Sequence, residues 1–189
     1  MGKTIKNKKT YSLNDYNSGD GMLTSVWGPG MWHSLHTISF NYPINPTKTD
    51  KRNYRDYILN MKYILPCGKC RNNLRDNLKK LPLKMKHMEN RETFSKYVYE
   101  LHELINTMLG KKSGLSYNDV RDRYEDFRAR CTISLKEVKP KRKTHKKKEN
   151  GCTEPLYGEK SKCILKIIPN TVKEDTFQID EKCVKKVIE

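Results

Sequence analysis

Cys67 and Cys70, two cysteines separated by two residues, are the side chains of this 189-residue sequence best suited to chemistry. Their spacing permits a zinc site, a thioredoxin-like redox motif, or a redox-active pair at the start of a helix. A structural zinc site needs four ligands, and the sequence contains no second Cys-x-x-Cys or His pair at similar spacing. A thioredoxin-like motif would follow a strand, whereas a helical apolar pattern precedes this pair through Pro66. We therefore expect no metal site and no thioredoxin fold.

A position at the start of a helix explains the Cys67–Cys70 pair better than a zinc site or a thioredoxin-like motif does. The first backbone N–H groups of a helix have no partner within it, and together with the helix dipole they stabilise a thiolate and lower its pKa. Lys69 and Arg71 add positive potential beside the two sulfur atoms. These features favour a redox-active disulfide, which needs an electron acceptor in order to be formed again after each reduction.

Apolar residues at helical spacing surround the cysteine pair and predict five helices. Pro43, Pro66 and Pro82 end the first three, because the residue before a proline avoids the helical conformation. Asn90 is suited to cap the fourth helix, and Gly110 ends it. The apolar stripes lie within residues 32–39, 54–65, 67–81, 94–109 and 120–131. This pattern predicts an all-α fold, a four-helix bundle with a short fifth helix.

Charge and apolar content divide the chain into four segments. We expect a flexible N-terminal arm (1–25), a helical domain (26–131), a basic disordered linker (132–150) and a small C-terminal module (151–189). The linker is too rich in lysine to bury apolar area. Part of the last segment, residues 163–168, has strand-like composition, so a small C-terminal appendage that contains β-strands is one expectation for it.

The composition narrows the classes of partner. The chain has 39 Lys and Arg against 22 Asp and Glu, a formal net charge of +17, which favours anionic partners such as nucleic acid. No run approaches the roughly 18 apolar residues of a membrane span. The N-terminal residues lack the apolar stretch of a secretory signal peptide. We therefore expect a soluble intracellular protein with no membrane contact.

Three segments in order resemble the FAD-linked sulfhydryl oxidases, the ERV/ALR family. Residues 27–36, followed by Tyr42-Pro43, resemble the Gly-x-x-x-Trp-x-x-x-His element and Tyr-Pro of its first helix. Residues 63–70 are similar to its active-site Cys-x-x-Cys with the preceding proline, and residues 101–111 to its His-x-x-x-Asn-x-x-Leu-Gly-Lys element. The pattern is most similar to the versions carried by large cytoplasmic DNA viruses.

The resemblance implies a helical bundle that binds FAD beside a Cys67–Cys70 disulfide. Cys70 would be the sulfur next to the flavin, and Cys67 the one attacked by an incoming thiolate. Electrons would pass from substrate thiols to FAD and then to molecular oxygen, which gives hydrogen peroxide. The cofactor-binding residues that the resemblance implies are Gly28, Trp32, His36, Tyr42, His102, Asn106, Lys111 and Tyr124.

Two departures from the family pattern affect stability and the cofactor loop. Many cellular members have a second, structural disulfide, but Tyr99 occupies its first position and no cysteine lies between Cys70 and Cys131. Bundle stability must therefore rest on packing and bound FAD. Lys112 replaces the proline that follows the Leu-Gly-Lys of the family, which alters the loop around Lys111.

The resemblance also implies partners and a location. The expected substrate is a protein dithiol, with a thioredoxin-like carrier as one candidate, and the expected assembly is a homodimer formed through the first two helices. Host cytoplasm or the virion is the expected location. Weak non-specific binding of nucleic acid is expected through the basic linker.

Other interpretations stay open at this stage. Taken singly, Trp32 and Tyr42 are ordinary core aromatics, and His36 and His102 are ordinary buried histidines. A second class of function is a basic nucleic-acid-binding or structural protein with an inactive bundle. The remaining cysteines, Cys131, Cys152, Cys163 and Cys183, can be free, paired or part of a thiol shuttle. We favour a docking role for the tail, because no tail pair has close Cys-x-x-Cys spacing.

Overall fold

A computed structural model of the chain describes residues 11–130, 152–175 and 177–186. Within these ranges it contains six α-helices, two short 3₁₀ helices and no β-strand, which confirms the all-α prediction. The α-helices are α1 (Leu13–Tyr16), α2 (Thr24–Phe40), α3 (Lys48–Ile64), α4 (Gly68–Lys80), α5 (Arg91–Met108) and α6 (Tyr117–Glu125). The 3₁₀ helices are Met85–Met88 and Glu181–Cys183.

Polar side chains define the first residues of α3, α5 and α6. Thr47 before α3 and Ser116 before α6 each accept a hydrogen bond from the backbone N–H three residues later. The aspartate at that third position accepts a hydrogen bond in return: Asp50 accepts from the backbone N–H of Thr47, and Asp119 accepts from that of Ser116. Asn90 caps α5 in the same way. These pairs satisfy N–H groups that a helix leaves without partners, so the helix starts are encoded locally.

The core lies between two packed helix pairs, α2 on α5 and α3 on α4. Tyr42, Phe94 and Tyr97 at its centre are at most 1% exposed. The Tyr42 ring lies 4.8 Å from Tyr54 and 4.9 Å from Phe94, between centroids. Its hydroxyl donates to the backbone carbonyl of Met88 at 2.9 Å. The core is therefore aromatic, with its buried hydroxyls paired to loop carbonyls.

The last helix is shorter than the sequence predicts. The apolar stripe through Cys131 predicts a helix to that residue, but α6 ends at Glu125. The following backbone pairs instead with the C-terminal segment: Arg130 N donates to Glu154 O at 2.8 Å, and Leu156 N donates to Arg128 O at 2.7 Å. These tertiary hydrogen bonds replace the helical ones. Cys131 and the predicted linker lie outside the described residues.

The C-terminal segment forms no strand in its described part, so the expectation of β-strands there is wrong. Ile164, Leu165 and Ile167 are 65% to 75% exposed, and within the described ranges no strand or apolar layer covers them. The segment folds back on itself at Gly158, whose φ is +60°. A Cβ there would lie 2.6 Å from the Cys183 carbonyl carbon, so this close approach requires glycine.

The one-turn helix α1 lies within the segment predicted as a flexible arm, and a Ser12–Asp15 capping box starts it.

Among the described residues, no helix is both long enough and apolar enough to cross a lipid bilayer.

The buried Tyr42 hydroxyl predicts a measurable loss on its removal. In Tyr42→Phe the ring stays, but the Met88 carbonyl loses its donor inside the core. We expect the free energy of unfolding to fall by about 1–2 kcal/mol. Urea denaturation measures this change, and Tyr57→Phe, on a side chain that is 40% exposed, is the matched control with no change expected. Equal stability of the two variants would show that the buried hydrogen bond contributes nothing.

Candidate active site

The two cysteines lie where α3 ends and α4 begins. Cys67 is the N-cap residue of α4, and its Sγ accepts a hydrogen bond from the backbone N of Cys70 at 3.2 Å. Both residues are half-buried thiols in this structure. The start of α2 packs beside them, because Thr24 Oγ1 lies 3.4 Å from Cys70 Sγ and Met22 N donates to Pro66 O at 2.8 Å. The predicted position of the pair at a helix start is confirmed.

The two thiols differ in acidity. The pKa of Cys67 is lowered, first by hydrogen bonds from the Cys70 thiol and the Cys70 backbone N–H. The pKa of Cys70 is raised, mainly because this sulfur is more buried. Cys67 is therefore the sulfur that holds negative charge more readily. This asymmetry fits a pair in which Cys67 exchanges with outside thiols and Cys70 faces the interior.

A second cluster forms where α2, α5 and α6 meet. Trp32 stacks on His102, with ring centroids 3.8 Å apart and planes 7° from parallel. His36 Nε2 lies 3.0 Å from His102 Nδ1, and the His36 ring lies 5.3 Å from Tyr124. Four of the eight predicted cofactor-binding residues, from three separate helices, thus form one aromatic cluster.

Both histidines of the cluster are held neutral. Burial, together with the neighbouring His102 and His33, lowers the pKa of His36 from its ordinary 6.5 to about 3. Burial likewise lowers the pKa of His102 to about 4. Because the imidazoles stay uncharged, each has one nitrogen that can donate and one that can accept a hydrogen bond.

One polar atom of the cluster lacks a partner. Nδ1 of His36 is buried and makes no hydrogen bond with any residue that the structure describes. An unpaired buried polar group costs about 1–3 kcal/mol, so its presence indicates a site that a ligand completes. The side chains of the cluster suit a planar aromatic cofactor, because they offer flat uncharged rings and one nitrogen without a hydrogen-bond partner among the described residues. The Lys111 cation is also close enough to lower the pKa of His102. The residues present therefore fit the flavin nucleotide that the sequence implies.

The other four predicted cofactor residues lie at different distances from this cluster. Gly28 is buried on α2, one turn before Trp32. The Asn106 side chain donates to Glu103 Oε1 at 2.9 Å, and its carbonyl accepts from Lys111 N at 2.8 Å, so both residues lie at the end of α5. Tyr42 is different, because its side chain is fully buried in the core with Tyr54 and Phe94. The geometry gives that side chain a structural role.

Several residues around Tyr124 were not found by sequence reasoning. Nδ1 of His33 lies 3.2 Å from the Tyr124 hydroxyl, and the Phe40 ring stacks on Tyr124 at 5.4 Å. Phe177, from the C-terminal segment, stacks on Tyr124 at 6.1 Å and lies 5.4 Å from His33. His33 and Phe40 share a helix face with His36, so helical spacing could have identified them. Phe177 has no local pattern that connects it to the site.

Comparison with known protein families and with individual proteins points to one family. The Erv1 / Alr family model matches residues 29–125. A probable FAD-linked sulfhydryl oxidase of Acanthamoeba polyphaga mimivirus is 40% identical over 91 residues, which cover 48% of this chain and 64% of that protein. An FAD-linked sulfhydryl oxidase of African swine fever virus is 31% identical over 99 residues, 52% of this chain and 80% of that protein.

Solved structures agree on the fold. The crystal structure of a double cysteine-to-serine mutant of Erv1 from Saccharomyces cerevisiae superposes with a TM-score of 0.51 at 21% identity. That match covers 63% of this chain and 98% of the yeast chain. The FAD-binding domain of the same yeast protein matches with a TM-score of 0.50 at 24% identity, over 56% of this chain and 96% of that one.

The neutral histidine pair predicts that acid lowers stability. Histidines in the unfolded chain bind protons below about pH 6.5, whereas in the folded chain His102 and His36 stay neutral down to about pH 4 and about pH 3. The unfolded state therefore binds more protons in this window. The free energy of unfolding should fall as the pH is lowered, by up to about 1.4 kcal/mol per pH unit for each histidine.

Urea titrations between pH 6.5 and 5 measure this slope in a range where most carboxylates stay ionised. Imidazole NMR shifts of His36 and His102 should stay constant over the same range. A free energy of unfolding that does not change with pH, or imidazole shifts with a midpoint near pH 6.5, would contradict the neutral pair.

Proposed function

This chain belongs to the Erv1/Alr family, and on that premise we propose that it is an FAD-dependent thiol oxidase that introduces disulfide bonds into protein substrates. The observation that supports this function most strongly is the pairing of two features in one bundle. One is the Cys67–Cys70 thiol pair of unequal acidity at the start of α4. The other is the aromatic cluster with the unpaired Nδ1 of His36.

Cys67 and Cys70 perform the thiol chemistry in their disulfide form. A substrate thiolate attacks Cys67 Sγ, the Cys67–Cys70 bond breaks, and Cys70 leaves as a thiolate. The second substrate thiolate then attacks the substrate sulfur of the mixed disulfide, and Cys67 leaves. The substrate loses two electrons and two protons, and the enzyme pair gains both. Its lowered pKa makes Cys67 a good leaving group in the second step.

Thr24 supports the sulfur that is released first. Its Oγ1 lies 3.4 Å from Cys70 Sγ, within reach of a hydrogen bond to sulfur. When Cys70 leaves as a thiolate, the hydroxyl can donate to it and offset part of the cost of charge at this more buried position. Thr24 is the first residue of α2, so the same helix reaches both the cysteines and the aromatic cluster.

The residues that we assign to FAD binding act by shape and polarity. Trp32, His102 and Tyr124 offer flat aromatic faces, and the free Nδ1 of His36 offers a hydrogen bond. Lys111 offers a positive charge for the pyrophosphate. FAD bound there would accept two electrons from the reduced Cys67–Cys70 pair and so restore the disulfide.

We also infer the partners of this reaction. The relatives named as FAD-linked sulfhydryl oxidases support thiols of proteins as substrates. Molecular oxygen as the electron acceptor, with hydrogen peroxide as product, is a finer part of the proposal. A thioredoxin-like carrier as the substrate and a homodimer are finer parts of the proposal. The viral relatives support a viral setting, in the host cytoplasm or the virion. The intact thiol pair and the aromatic cluster argue against an inactive bundle that only binds nucleic acid.

Replacement of either active-site cysteine should abolish turnover. Oxygen uptake with dithiothreitol is expected to fall at least a hundredfold in Cys67→Ser and in Cys70→Ser, because neither variant can form the disulfide. Cys163→Ser, at an exposed free thiol, is the matched control and should keep full uptake. Uptake that persists in either active-site variant would refute the mechanism.

FAD should contribute strongly to stability, because the chain has no cysteine at the position of the second family disulfide. A ligand that binds only the folded state stabilises it by RT ln(1 + [L]/Kd), about 4 kcal/mol at a thousandfold excess over Kd. The purified protein should be yellow, and removal of FAD should lower the Tm by roughly ten degrees. Apo- and holoprotein that melt together would refute this dependence.

A further inference from the structure

A surface groove runs between α3 and α4, outside the site described above. It has a volume of about 730 Å³, and Leu59, Leu78 and Leu83 contribute to its wall. Its polar lining is mostly basic, with Arg55, Lys62, Arg75 and Lys79 against the single carboxylate of Asp76. We call these lining residues, together with Tyr63, the basic groove.

Part of this charge is left unbalanced within the groove. Lys79 Nζ pairs with Asp76 at 2.8 Å, so these two charges cancel. Among the described residues, Lys62 and Arg75 take part in no ion pair. Both lie over the ring of Tyr63 instead, at 5.0 Å and 5.6 Å from its centroid. Two cations thus contact one aromatic ring, and the Tyr63 side chain is 59% exposed.

The groove is lined by α3 and α4, the two helices that meet at the active-site cysteines. Tyr63 lies four residues before Cys67, in the last turn of α3. Along α4, Arg75 and Leu78 follow Cys67 by 8 and 11 residues, which places them about 80° and about 20° around the helix axis from it. At 1.5 Å per residue, Arg75 lies about 12 Å along the axis from Cys67. A bound polypeptide of three or four extended residues spans that distance.

We infer that the basic groove binds an acidic segment of the protein substrate and so presents the neighbouring substrate thiol to Cys67. This inference rests on the proposed thiol oxidase function and adds a class of substrate to it. Lys62 and Arg75 would pair with substrate carboxylates, and the leucines would contact apolar side chains between them. The groove determines which dithiols are oxidised efficiently, while the cysteines perform the chemistry.

The lining favours a polypeptide over the two other occupants. A single strand of nucleic acid binds through a basic groove combined with aromatic rings that stack on its bases, but the Tyr63 ring is already in contact with two cations. The Asp76 carboxylate and the leucines also suit mixed side chains better than a row of phosphates. A second copy of this chain across a two-fold axis would bring the same cations against each other.

The test compares two dithiol peptides of equal length, one with Asp and Glu beside its cysteines and one with Gln and Asn. The Lys62→Glu/Arg75→Glu variant should oxidise the acidic peptide with kcat/KM reduced roughly tenfold, as expected for the loss of two contacts at an exposed rim. The preference of the parent protein for the acidic peptide should weaken as salt is raised, because exposed charges are screened. Dithiothreitol oxidation should stay unchanged in both proteins.

The matched control is Lys96→Glu/Lys173→Glu, which makes the same change in net charge at two exposed positions outside the groove. It should keep the preference for the acidic peptide. An equal loss of preference in this control would show that only overall charge matters and would overturn the inference. Full oxidation of the acidic peptide by the groove variant would overturn it as well.

A binding measurement separates this inference from the proposed function. Fluorescence anisotropy of a labelled acidic peptide in which serine replaces both cysteines needs no turnover, so it reports on the groove even if no dithiol is oxidised. Weaker binding by the groove variant alone supports the inference. Tighter binding of a labelled single-stranded oligonucleotide than of the peptide, lost in the groove variant, overturns it in favour of nucleic acid. A dimer that dissociates only in the groove variant overturns it in favour of a second copy.

Discussion

The start of α4 is the constraint on which the rest of the structure depends. Pro66 ends α3, and Cys67 then caps α4 with its own sulfur in place of the usual oxygen. A sulfur at a helix N-terminus is close to unpaired N–H groups and to the positive end of the helix dipole, so it favours the thiolate. The same junction places Cys70 against Thr24 of α2, and the two helices that meet there, α3 and α4, line the basic groove. The thiol pair and its contact with α2, the helix that carries Trp32 and His36, therefore meet at one turn of backbone.

The aromatic cluster shows how a chain of net charge +17 maintains an uncharged site. Burial between α2 and α5 keeps His36 and His102 neutral, because a charged imidazole would lose its hydration there. The same burial leaves Nδ1 of His36 without a partner, at a cost that a bound ligand would offset. The unpaired nitrogen and the flat walls belong to one arrangement, so stability and cofactor binding are coupled in this bundle. This coupling matters more because the chain lacks a cysteine where many cellular members have a second disulfide.

The C-terminal segment adds a contact that lies beyond the matched family region. Phe177 stacks on Tyr124, and Lys185 N donates to Asp126 Oδ1 at 2.9 Å, so the segment packs against α6 and its end. Cys152 is disulfide-bonded, whereas Cys163 and Cys183 are free thiols. These contacts agree with the docking role that we expected for the tail. The choice between docking and a thiol shuttle stays a prediction.

Local chemistry determined much of this protein from its sequence alone. Capping residues and prolines encode the helix starts and ends, and the apolar stripes encode the faces that pack, so the bundle and the position of Cys67 and Cys70 could be predicted. The resemblance to the ERV/ALR family implied that Trp32, His36 and His102 share a site, which their residue types alone did not. Only the tertiary structure decided the features that depend on residues distant in sequence. Tyr42 lies in the core because Phe94 and the Met88 carbonyl meet it there, and α6 ends early because residues 128–130 pair with residues 154–156. The Phe177 contact, the unpaired nitrogen of His36 and the basic groove arise from packing between separate elements, which no local pattern encodes.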